Sequence, residues 1–133
     1  MVFVMIRAAT RFPIQLYRNK HALVVTLPED VSEEELLGSE IHVLREVQSS
    51  GVRAIVFDVS ALHVLDSGIT AGLGRVSASA ALLGASGVIA GIHAEVAASM
   101  VSIGIAPPRL PGTANVDKAL ELIRRGRWNE TRT

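Results

Sequence analysis

The chain contains no cysteine. That excludes a disulfide framework and thiolate chemistry, and it agrees with a cytoplasmic protein. Aromatic residues are also scarce, 4% against 49% hydrophobic, so the core must be built from Val, Ile, Leu and Ala. Neither sign of charge is in excess, because 13 basic and 13 acidic residues cancel. A nucleic-acid partner normally leaves a basic excess, which is missing. The apolar start, residues 1–6, is too short to span a bilayer. It also lacks the charged beginning and the small-residue cleavage pattern of a signal peptide. A loose arm, an added strand and a misplaced start codon all fit it, and no membrane association is expected.

Catalytic and metal-binding patterns are thin as well. Gly72-Leu73-Gly74 lacks the third glycine of a dinucleotide fingerprint and lies inside a helical pattern. No Gly-x-x-x-x-Gly-Lys loop occurs. Asp58, His63 and Ser67 offer the residue types of a hydrolase triad, but Ser67 has no Gly-x-Ser-x-Gly elbow. The histidines, His21, His42, His63 and His93, are scattered without ligand spacing. The expectation is a protein that is not an enzyme and carries no metal or cofactor.

What is present reads as one α/β domain. A single compact core is the default for 133 residues. Residues 14–17 alternate as a short strand, Asn19-Lys20 offers a turn, and residues 21–27 form a second strand, so an antiparallel hairpin is predicted. Ser32-Glu33-Glu34-Glu35 is a capping box whose glutamates suit a first helical turn. They would also serve as an acidic docking face, although dipole complementarity is the simpler account. Leu37, Ile41, Leu44 and Val47 continue that helix as one stripe until Ser49-Ser50-Gly51.

The organising stretch is Val64-Leu65-Asp66-Ser67-Gly68-Ile69-Thr70. Before it, Ala54-Ile55-Val56-Phe57-Asp58 reads as a buried strand. After it, Ile69, Leu73, Val76, Ala80 and Leu83 make one apolar stripe on a helix. Asp66 or Ser67 supplies the N-cap. Ser67 then sits at free amides and the positive end of the helix dipole, where a phosphate would be stabilised. On these residues alone, a capping serine accounts for the pattern. Gly68, Ala71, Gly72, Gly74, Ala78 and Ala81 allow close approach, to the sheet for most of them and to a partner near Ser67.

Gly84-Ala85-Ser86-Gly87 stops the central helix, and Val88-Ile89-Ala90-Gly91-Ile92 is another interior strand, parallel to the first. Val96, Met100 and Ile103 carry a further helix. A proline-rich loop follows, with a short edge strand near Leu110, and Val116, Leu120 and Ile123 mark a last helix with Asp117 in its first turn. The expected layout is an arm over 1–11, a domain over 12–125 and a polar, fraying tail over 126–133.

Phe57-Asp58-Val59-Ser60, Leu65-Asp66-Ser67, Gly84-Ala85 and Gly91-Ile92-His93-Ala94-Glu95-Val96-Ala97, in that order, resemble the STAS domains (sulphate transporter and anti-sigma factor antagonist). The similarity runs over about residues 12–124 and is greatest to the stressosome scaffold proteins of the RsbS type. It implies a small mixed β-sheet packed with about four α-helices. It also implies a cytoplasmic, non-catalytic regulator of a stress-response pathway, in which a partner kinase phosphorylates Ser67. The implied partners are an RsbT-like switch serine/threonine kinase, RsbR-like STAS paralogues in a homo- or hetero-oligomer, and a PP2C-type phosphatase. Asp66, Ser67, Gly68, Thr70 and Ala71 would form the partner surface. Ser99 matches a second phosphorylated position of co-assembling paralogues, but is expected not to be the main switch. The sequence departs from the RsbS-like pattern twice: Gly68 replaces a bulky apolar residue, and Ala94 replaces a proline. Gly68 resembles the soluble antagonists, so the alternative is an anti-anti-sigma factor that binds an anti-sigma kinase directly.

Overall fold

The computed structural model describes the backbone of residues 4–6 and all of residues 14–126. Six strands form one mixed sheet in the order β1-β2-β3-β4-β5-β6. They are β1 (Val4–Ile6), β2 (Gln15–Asn19), β3 (Ala22–Thr26), β4 (Ala54–Asp58), β5 (Ser86–Ala90) and β6 (Gly112–Thr113). β1, β2 and β3 pair antiparallel, whereas β3, β4, β5 and β6 run parallel. The three central strands are near-continuous apolar runs because both of their faces are covered. The β2–β3 hairpin closes on Lys20 and His21, one residue beyond the expected turn, with Lys20 left-handed at φ 53°.

Among the described residues five helical segments pack on this sheet: α1 (Glu33–Gly38), α2 (Glu40–Ser50), α3 (Ser67–Ala81), α4 (Ala94–Ser102) and α5 (Val116–Arg124). Alternate residues of each strand face opposite layers. Leu23, Val25, Ile55, Phe57 and Ile89 join Leu36, Val43, Val47, Leu73, Val76, Val96 and Met100 in the larger core. Ala22, Val24, Ala54, Val56, Val88 and Ala90 meet Ala119 and Ile123 of α5 on the other face.

The single helix predicted after Ser32 is divided at Ser39. The capping box forms as read: Ser32 Oγ accepts from the Glu35 amide at 3.0 Å, and Glu35 Oε1 accepts from the Ser32 amide at 2.9 Å. Gly38 then weakens the helix, and buried Ser39 donates its hydroxyl to the Leu36 carbonyl at 2.6 Å. The break shifts the buried stripe to Leu36, Val43 and Val47, leaving Ile41 exposed and Leu37 half-buried. The stripes on α3 and α4 also end early. Leu83 and Ile103 lie beyond the last turns and are exposed. The edge strand falls at Gly112–Thr113, two residues past Leu110.

Candidate functional site

The parallel strands β3, β4 and β5 all finish at one end of the sheet, so the loops that follow them meet there. Asp66 caps α3 in extended backbone (φ −79°, ψ 176°), and its Oδ1 accepts from the Ile69 amide at 2.8 Å. Of the two expected caps, Asp66 takes the role. Ser67 becomes the first helical residue, exposed, with its hydroxyl unused by the cap. Among the described residues nothing bonds the amides of Ser67 and Gly68, so the positive end of α3 is open.

Two glycines one turn apart receive α1. A Cβ on Gly72 would lie 2.7 Å from Leu36 Cδ2, so the fully buried Leu36 needs that glycine. A Cβ on Gly68 would run into the Glu33 carboxylate. Glu33 therefore rests against the residue next to Ser67. The capping box explains its place in the sequence, but only the folded chain brings it to α3.

The remaining predicted surface residues divide. Ala71 is exposed, but Thr70 is turned inward at 7% exposure, with no hydrogen-bond partner for Oγ1 among the described residues. The helical period carries position 70 under α3, which corrects its placement on the partner surface. Ser99 is exposed on α4, in a different element. The residue types of the triad do not converge on Ser67. Asp58 Oδ1 accepts from the Ser60 amide at 3.0 Å, and His63 Nε2 lies 3.4 Å from Glu29 Oε1.

The adjoining loops are tied to each other. His93 Nε2 lies 2.6 Å from the Ser60 carbonyl oxygen, which can only accept, so that nitrogen carries the proton. Gly91, at φ 89°, packs so closely that a Cβ there would come within 2.8 Å of Ser60 Cβ. The β4–α3 and β5–α4 loops thus hold one another in register.

Charge cancels overall, but basic residues are absent from the three loops that follow β3, β4 and β5. Residues 27–38, 59–71 and 91–98 contain no lysine or arginine, and they expose Glu29, Asp30, Glu33, Glu34, Asp66 and Glu95. At the opposite end stand exposed Lys20, Arg53, Arg124 and Arg125, the last two paired with Glu121. A concavity of about 440 Å³ lies at that second end, between the hairpin and α5, with Lys20, Ala22, Asp117, Leu120 and Arg124 in its lining. Ser67 is not among its lining residues. On the α5 side of the sheet, burial pushes the Tyr17 phenol above its usual range, helped by the negative charge of Asp58.

The STAS domain family model matches residues 13–119. The chain belongs to the STAS domain family. Solved STAS structures agree with the architecture. An RsbS variant from Moorella thermoacetica is 26% identical, with 86% of this chain and 96% of that chain covered at a TM-score of 0.68. A structure described as the molecular architecture of the stressosome, a signal integration and transduction hub, is 26% identical over 83% and 96% at 0.67. The unphosphorylated anti-sigma factor antagonist SpoIIAA, 16% identical over 84% and 97% at 0.58, shares the fold. No curated protein sequence matches. Among the described residues of this STAS domain, no helix is long and apolar enough to cross a membrane.

Proposed function

We propose that this STAS domain is a non-catalytic, cytoplasmic partner-switching module controlled by phosphorylation of Ser67. Unmodified, it holds an RsbT-like serine/threonine kinase within an assembly of itself and RsbR-like paralogues. Phosphate on Ser67 releases the kinase to its downstream target, and a PP2C-type phosphatase resets the switch. The observation that carries the reading is the exposed Ser67 at the open first turn of α3, its hydroxyl unused by the cap that Asp66 supplies. A phosphate there meets free amides and the helix dipole, so it leaves the fold intact. It adds nearly two negative charges to a surface that already carries Asp66. The cost therefore falls on the partner contact made by Asp66, Ser67, Gly68 and Ala71. Ser99 is not the main switch in this scheme.

The test is affinity purification of the chain and of Ser67→Ala from native lysate, with phosphosite mapping by mass spectrometry. A kinase should co-purify with the chain, incorporate phosphate on Ser67, and remain bound to Ser67→Ala. Equal kinase affinity with and without phosphate on Ser67 overturns the mechanism. Phosphate abolished by Ser99→Ala but retained in Ser67→Ala overturns the choice of residue.

Gly68 favours one second reading, a soluble antagonist that binds an anti-sigma kinase directly. Particle size separates the two. A scaffold forms megadalton assemblies with its paralogues, whereas a soluble antagonist stays small.

A further inference from the structure

The Glu33 carboxylate lies against Gly68, beside the only residue whose modification the proposed switch requires. Glu33 is the first residue of α1, and α1 is held on α3 by Leu36 in the space left by Gly72. In the unmodified chain the open turn of α3 thus already faces an anion, supplied by α1. Among the described residues no hydrogen bond joins that carboxylate to the Ser67 or Gly68 amide, so its place in α1 holds it beside the turn and the amides do not bind it.

We infer that a phosphate on Ser67 repels the Glu33 carboxylate from its place beside Gly68, so that α1 moves and becomes part of what the partner reads. This inference rests on Ser67 being the switch and assigns a receiver to it. Three features carry the displacement. The phosphate is tethered to Ser67, whereas Glu33 reaches the turn from another helix. The phosphate brings nearly two charges against one. Asp66, which keeps its bond to the Ile69 amide, leaves a third anion in place that favours expulsion of the exposed, rotatable Glu33. Repulsion over a few ångströms at the surface suffices to move such a side chain, and salt weakens it. Leu36 remains buried, so the movement is a loosening of the first turn of α1 and not its loss.

The glycine gives a control that needs no phosphate. Gly68→Ala places a methyl group where the carboxylate lies, and the end of a surface glutamate can swing away at small cost.

The experiment is amide NMR with hydrogen exchange on the full chain carrying phosphoserine at position 67, inserted during translation. This separates the inference from the identity of any kinase. Amides of residues 35–39 should shift and exchange about tenfold faster in the phosphorylated chain. Unmodified Gly68→Ala should shift the same amides in the same direction. In Glu33→Gln the phosphate should move residues 66–71 alone, since no anion remains to be expelled. The inference is overturned if phosphoserine leaves residues 35–39 unmoved in the parent chain, or if Glu33→Gln responds as the parent does. A kinase that proves indifferent to phosphate would remove the proposed function and leave this result standing.

Discussion

The two faces of the sheet are built by different means. One carries α1, α2, α3 and α4 on bulky strand residues such as Leu23, Ile55, Phe57 and Ile89. The other is covered from α5 through Ala119 and Ile123, on strand residues that are mostly Ala and Val. Small residues let one helix sit close, and large ones need several helices to fill the space between. The thicker face also receives the chain crossings between β3, β4 and β5, so its helix starts lie at the strand ends. The α3 start, with Ser67, is one of them. Stability and signalling are therefore concentrated in the same layer, while the α5 layer mainly closes the domain.

Truncations on the two faces should expose this difference. Leu73, fully buried between α3 and the sheet, should be the most costly site. Leu73→Ala should lose about 3–5 kcal/mol in urea unfolding, because the crowded layer cannot collapse into the space. Ile123→Ala on the α5 face should lose about 2 kcal/mol, since Ile123 lies at the edge of its cluster. A larger loss at Ile123 than at Leu73 would reverse the comparison.

Smaller effects sharpen it. Asp66→Ala removes the cap of α3 and should cost about 1 kcal/mol by the same measurement, with Asp66→Asn recovering most of it. Recovery by Asn would assign the loss to the capping oxygen and not to charge. Least of all should be Glu121→Gln on α5. Hydrogen bonds from Arg124 and Arg125 hold the Glu121 carboxyl below its usual range, but the group is exposed to solvent and screened. A lowered carboxyl favours the folded state above its unfolded pKa and loses that advantage as acid protonates it. The melting temperature of Glu121→Gln should therefore lie only slightly below the parent at neutral pH, and the two curves should converge as acid protonates the parent's carboxyl.

The sequence carries the centre of the fold more clearly than its joints. β4, α3 and β5 follow from continuous apolar runs, a helical stripe and an Asp-Ser start, all local signals. The break at Ser39 is less legible, because Leu37, Ile41, Leu44 and Val47 keep helical spacing across it. Its cause is a buried hydroxyl bonded to the Leu36 carbonyl, which depends on where the helix packs. Thr70 shows the limit for surfaces: proximity to Ser67 in the chain does not place a side chain on the same side of the helix. The exposed Ser67 is legible from the motif, but the Glu33–Gly68 contact is not. It joins segments more than thirty residues apart, and each residue has a sufficient local explanation of its own.

The absence of lysine and arginine from the loops around Ser67 has a consequence for encounter. A molecule with no net charge exerts little pull at long range, yet these loops carry exposed carboxylates and no basic residue, which gives a local negative field at close range. A partner with a basic approach surface would be rotated toward the Ser67 end before touching it. That orienting torque acts within roughly one Debye length, about 8 Å at physiological salt. Association at the Ser67 end should thus slow as ionic strength rises, even though the molecule as a whole is electrically neutral.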